Sequence, residues 1–166
     1  MNLTENFKLH EMTDSLTAKK RGIDNTPYDE KVINNLKALC ENVLEPLRAI
    51  IKKPIIISSG YRSGQLNSYI GGALSSQHVL GQAADISMDM NNAEVFKAIA
   101  ENIEFDQLIW EFGSNENPEW VHVSFSSIRN RKQMLQAVRQ HGKTVYVPMA
   151  APKTEKTEKP VKANKK

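Results

Sequence analysis

Apolar residues recur at three- and four-residue steps along the first third of the chain: Val32, Ile33, Leu36, Leu39, Val43, Leu44, Leu47 and Ile50. That period matches one face of an α-helix and predicts a helix here. Thr26, followed three residues later by Asp29, resembles a capping box, with Pro27 at the first helical position. Pro46 should kink or interrupt the helix near its end. From Pro54 to Ser58 the pattern changes to a continuous apolar run, which predicts a buried strand that the chain leaves at Gly60. "GQLNSYIGGA" predicts a short helix closed by Gly71 and Gly72. "AADISM" predicts a strand, with Asp85 and Ser87 on one face and Ala84, Ile86 and Met88 on the other. "NNAEVFKAIAEN" predicts an amphipathic helix capped by Asn91 or Asn92, and "FDQLIWEF" a strand. "WVHVSF" has the clearest alternation: Trp120, His122 and Ser124 on one face, Val121, Val123 and Phe125 on the other. "RNRKQMLQAVRQHG" predicts a last helix ended by Gly142, and "KTVYV" a last strand. Residues 1–25 predict loop and short turns. Strands and helices do not alternate regularly enough for a doubly wound parallel sheet. The expected fold is α+β, a mainly antiparallel sheet with packed helices.

Composition narrows this picture. The chain has 166 residues, about 40% apolar and 25% charged, enough for one domain with a proper core and a short tail. Net charge is +3, but Ala150 to Lys166 hold six Lys and two Glu, so the rest of the chain is close to −1. A near-neutral body argues against a nucleic-acid-binding face. The expected organisation is one domain over residues 1–149 and a disordered Lys-rich tail over 150–166. Cys40, the single cysteine, excludes a disulfide framework and a cysteine-rich zinc site, and its place on an apolar helical position predicts a buried thiol. "MNLTENFKLHEM" lacks the apolar region of a signal peptide, and no apolar run approaches a bilayer span. The expectation is a monomer without membrane attachment, made in the cytoplasm.

Among the four histidines, two sit in unusual surroundings. His78 precedes a Gly-Gln-Ala-Ala-Asp run, and His122 interrupts a strand whose other face is apolar. Two His and one carboxylate, Asp85, brought together from adjacent strands would form a three-ligand zinc site with an open fourth position, the arrangement of a catalytic zinc. Gly81, Ala83 and Ala84 are small enough to let backbone segments approach closely there. "HEMTD" at His10 has the start of a zincin motif but ends in Asp14, so His10 and Glu11 are assigned to a solvated loop. His141 is expected at a helix end.

"SGYRS" (59–63), "SQHVLGQAAD" (76–85) and "EWVHVS" (119–124) together resemble the zinc D-Ala-D-Ala carboxypeptidase family, which is grouped with lysostaphin-type peptidases and the hedgehog signalling domain. Ser76, His78, Gly81, Ala83 and Asp85 match every fixed position of its S-x-H-x-x-G-x-A-x-D signature. The likeness spans roughly residues 7–149 and is nearest to the phage and bacterial branch that includes endolysins. What the resemblance implies is a peptidase of peptidoglycan stem peptides. His78, Asp85 and His122 would hold one zinc ion, which polarises the scissile carbonyl and activates a water. A carboxylate would carry the proton. Glu119 fits an E-x-x-H spacing with His122 and is the first choice. Positions three apart on a strand face opposite sides, however, so Glu119 requires a turn or bulge after Pro118, and Glu111 competes. Arg62 would bind a substrate carboxylate, and Ser76 and Gln77 would hold substrate or supporting groups. Tyr61 and Trp120 are candidate pocket walls. The resemblance leaves open a carboxypeptidase or an endopeptidase. It also leaves open release to the cell wall as a phage lysin, a virion-associated protein, or a non-catalytic zinc module.

Overall fold

The computed structural model describes residues 1–88 and 91–150. The elements are α1 (Leu9–Thr13), α2 (Leu16–Arg21), α3 (Glu30–Leu39), a π-helical turn (Cys40–Leu44), α4 (Glu45–Ile51), β1 (Ile57–Ser59), α5 (Gly64–Tyr69), β2 (Ala83–Ile86), α6 (Asn92–Asn102), β3 (Gln107–Glu111), β4 (Trp120–Ser124), β5 (Gln133–Gln140) and β6 (Lys143–Pro148). The strands form one six-stranded sheet in the order β1-β2-β4-β3-β5-β6. All neighbours are antiparallel except β3 and β5. This is the expected α+β architecture. The Lys-rich tail falls, but for Ala150, outside the described residues. Among the described residues no helix is long and apolar enough to cross a membrane.

One sheet face carries the core. Ala84 and Ile86, Val121 and Val123, Leu108 and Trp110, and Met134 pack with Leu36, Leu39, Leu44 and Leu47 of the long helical segment and with Val95 and Ile99 of α6. Burying such aliphatic side chains contributes roughly 1.5–3 kcal/mol each. The helical stripe predicted over 32–50 is this inward face. Its start lies later than the proposed capping box, because Asp29, not Thr26, caps the helix, accepting from the Lys31 N–H. Pro46 sits in the first turn of α4, and the π-helical turn just before it absorbs the interruption.

Four expectations are corrected. Residues 1–25 hold two short helices, and Ser15 caps α2 by accepting from the Ala18 N–H. They are shorter than the window over which apolar periodicity is legible. His10 accordingly lies exposed on α1, not on a loop. The largest difference is at 129–142, where a helix was expected and β5 is found. Met134 and Val138 with Leu135 and Ala137 mimic a helical stripe, but β5 is buried on both faces through its middle, so its two apolar rows do not alternate with polar residues. His141 and Gly142, at φ 49° and 74°, form the two-residue turn that joins Gln140 to its partner Lys143. His141 is therefore a hairpin residue and not a helix end.

Candidate metal centre

The opposite face of the sheet carries the site. Antiparallel pairing sets Asp85 of β2 directly across from His122 of β4, and His122 across from Ile109 of β3. Side chains two apart share a face, so Glu111 joins the same surface. His78 comes from the turn before β2, a connection shaped by two glycines. Gly81 has φ 70°, and an added Cβ there would lie 2.6 Å from the Val32 carbonyl oxygen, so α3 can pack on this turn only over glycine. Gly60 has the Met12 backbone against it and no room for a side chain. Its carbonyl accepts from His78 Nδ1 at 2.6 Å.

That bond fixes the tautomer. With its proton on Nδ1, His78 turns the Nε2 lone pair inward. Nε2 lies 3.3 Å from Asp85 Oδ1, and His122 Nδ1 lies 2.9 Å from the same oxygen. One donor atom from each of the three buried residues lies within 4.8 Å of the others. Ligands on one tetrahedral ion, with bonds near 2.0–2.1 Å, stand about 3.3 Å apart. Two nitrogens and one carboxylate oxygen at these separations suit a single metal ion. The second oxygen, Asp85 Oδ2, accepts from Arg62 Nη2 at 2.8 Å, while Arg62 Nε donates to Ser59 Oγ. Burial alone would raise the Asp85 pKa. When the two imidazoles are protonated, their charges and hydrogen bonds outweigh it and hold the carboxyl well below its usual range, so Asp85 is already anionic before a metal would displace those protons.

A cleft of about 710 Å³ opens over this group. Glu111 lines it and is 6% exposed. Burial pushes its carboxyl up to about 7; the Asp85 charge adds to the rise, and His122 and Arg62 oppose it. Glu119 behaves differently. Its N–H donates to the Glu111 carbonyl and its own carbonyl accepts from Asn92, so no bulge turns it inward. Its side chain is exposed and does not line the cleft, since Trp120, the next residue, takes the site face. Between the two candidate bases, the geometry favours Glu111 over the first choice.

Arg62, Ser76, Gln77 and Trp120 all line the cleft, whereas Tyr61 packs against the core. Gln77 Nε2 donates to Asp106, whose carboxylate also receives Nε and Nη2 of Arg131 at 2.8 and 2.7 Å. The far wall comes from residues that sequence reasoning passed over: Arg131, Gln133, Leu135, Thr144 and Tyr146. The one signal toward them is weak: His141 and Gly142 are residue types that adopt positive φ, which permits a two-residue turn there and so a strand before it.

No curated protein matches the chain significantly. The peptidase M15 family profile matches residues 5–124, which contain all three candidate ligands, Arg62 and Glu111. The chain therefore belongs to the peptidase M15 family.

Proposed function

We propose that this chain is a zinc-dependent peptidase that hydrolyses an amide bond in peptidoglycan stem peptides. The observation that carries the reading is the buried convergence of His78, Asp85 and His122 beneath a cleft that also holds Glu111. A zinc ion held there supplies Lewis acidity toward a carbonyl and a water. The chain supplies the rest. The His78 hydrogen bond to Gly60 and the Arg62 hydrogen bond to Asp85 fix two of the three ligands in orientation. Glu111 takes the proton of the attacking water and delivers it to the leaving amine. A carboxyl pushed up to about 7 suits both directions of that transfer near neutral pH.

Cleft walls on both sides of the metal centre, Ser76 and Arg131 toward one end and Trp120 and Tyr146 toward the other, support a substrate that continues beyond the scissile bond. An endopeptidase is thus preferred to a carboxypeptidase. The test is a digest of purified peptidoglycan, with and without chelator, read by mass spectrometry. Chelator-sensitive fragments are expected, and their masses name the bond. Zinc bound by a folded chain that releases no fragments from several wall types would overturn the reading in favour of a binding module.

A further inference from the structure

The cleft contains two arginines, and their circumstances differ. Arg62 is 17% exposed and directs its fork at Ser59 and at Asp85, itself a candidate metal ligand. A substrate carboxylate approaching Arg62 would also meet the charge of Asp85. Arg131 is 47% exposed and holds its Nε and Nη2 edge against Asp106. Asp106 is 4% exposed and lies beneath the guanidinium, so a group in the cleft meets the cation first. The Nη1 edge has no protein acceptor among the described residues.

The neighbourhood of that edge is rich in donors. Gln107 Nε2 donates to Gln133 Oε1 at 2.8 Å, which leaves both N–H groups of the Gln133 amide without a described acceptor. Gln133 lines the same cleft two residues from Arg131. Donors without acceptors beside a fixed guanidinium suit an anionic, planar group. Asp106 fixes the position as well. It accepts from the Arg131 N–H and side chain and from Gln77, the residue before His78. A chain of bonds thus runs from Arg131 through Asp106 to the loop that carries a metal ligand. It holds the cation at a set distance from the metal centre and lowers the ordering cost of binding.

We infer that Arg131, held by Asp106 and assisted by Gln133, binds a carboxylate of the substrate peptide and sets which peptides are cleaved. The inference rests on the proposed peptidase function. Arg131 and Gln133 lie beyond residues 5–124, so family membership does not supply it.

The test uses full-length protein loaded with zinc and a set of synthetic stem peptides in which each free carboxylate in turn is replaced by carboxamide. Wild type is expected to lose about tenfold or more in kcat/KM for one of these carboxamides, mainly through KM, the scale of one charged hydrogen-bonded contact. In Arg131→Gln that discrimination should shrink to within about twofold. A purely structural Arg131 would lower the melting temperature and slow every peptide alike, leaving the ratio unchanged; that result overturns the inference. Should Arg131→Gln fail to fold, Arg131→Lys carries the test. It keeps the charge without the fork, and discrimination equal to wild type overturns the inference. A wild type that discriminates against none of the carboxamides also overturns it. A wild type that cleaves no peptide overturns the peptidase reading, and this inference falls with it.

Discussion

Replacing Glu111 by Gln should make the metal-free protein more stable at alkaline pH while removing catalysis. Glu111 is 6% exposed, and burial pushes its carboxyl from 4.5 up to about 7. The folded state thus prefers the protonated acid. Below pH 4.5 the residue is protonated in folded and unfolded chains and costs nothing through ionisation. Between 4.5 and 7 the unfolded chain loses its proton first, so stability falls as pH rises. Above 7 the cost is complete, about 3 kcal/mol at 1.36 kcal/mol per pH unit. Gln has nearly the same shape and no charge to bury. Urea unfolding of chelator-treated wild type and Glu111→Gln at pH 5 and pH 8 measures the effect. The advantage of the variant should grow by about 2–3 kcal/mol between the two pH values. The same variant, loaded with zinc, should lose roughly 10²–10⁴-fold in kcat. A stability difference that is the same at both pH values would refute the claim that Glu111 is buried with a raised pKa. Full activity of the loaded variant would remove it as the proton carrier.

Gly60→Ala should weaken zinc binding although it alters no ligand. The added Cβ meets the Met12 backbone and displaces the carbonyl that orients His78, and losing such support typically costs 10–100-fold in metal affinity. A competition titration with a chromogenic chelator checks this. The Cys40 thiol is fully buried and pushed up to about 12, first by burial and then by Glu45, so it should resist iodoacetamide in native protein and react on unfolding. Mass spectrometry of the two samples distinguishes the outcomes. Leu39→Ala, at a fully buried position facing the sheet, should cost about 2–5 kcal/mol in urea unfolding.

The candidate metal centre was legible because two of its three residues depart from their local pattern. His122 stands on the polar face of an otherwise regular strand, and Asp85 ends a run of residues too small for an ordinary core segment. Strand alternation alone also raised the objection to Glu119, and the pairing of Glu111 with Trp120 explains why it holds. The far wall was illegible for a different reason. Met134, Leu135, Ala137 and Val138 satisfy a helical period as well as a strand buried on both sides, and only the β3 and β6 pairings decide between them. With that segment misassigned, Arg131, Gln133 and Tyr146 had no route to the site. The long helix was placed correctly, but its start depended on Asp29 capping in its own right, a choice between neighbouring polar residues that periodicity does not rank.

The most direct test of the account is to strip the protein with chelator, return zinc in known amounts, and follow stem-peptide hydrolysis. Activity should be absent at the start, rise linearly with added zinc, and level off at one ion per chain, with no recovery in His122→Ala. Full activity in the stripped protein, or zinc bound at one per chain with no hydrolysis at any loading, would contradict it.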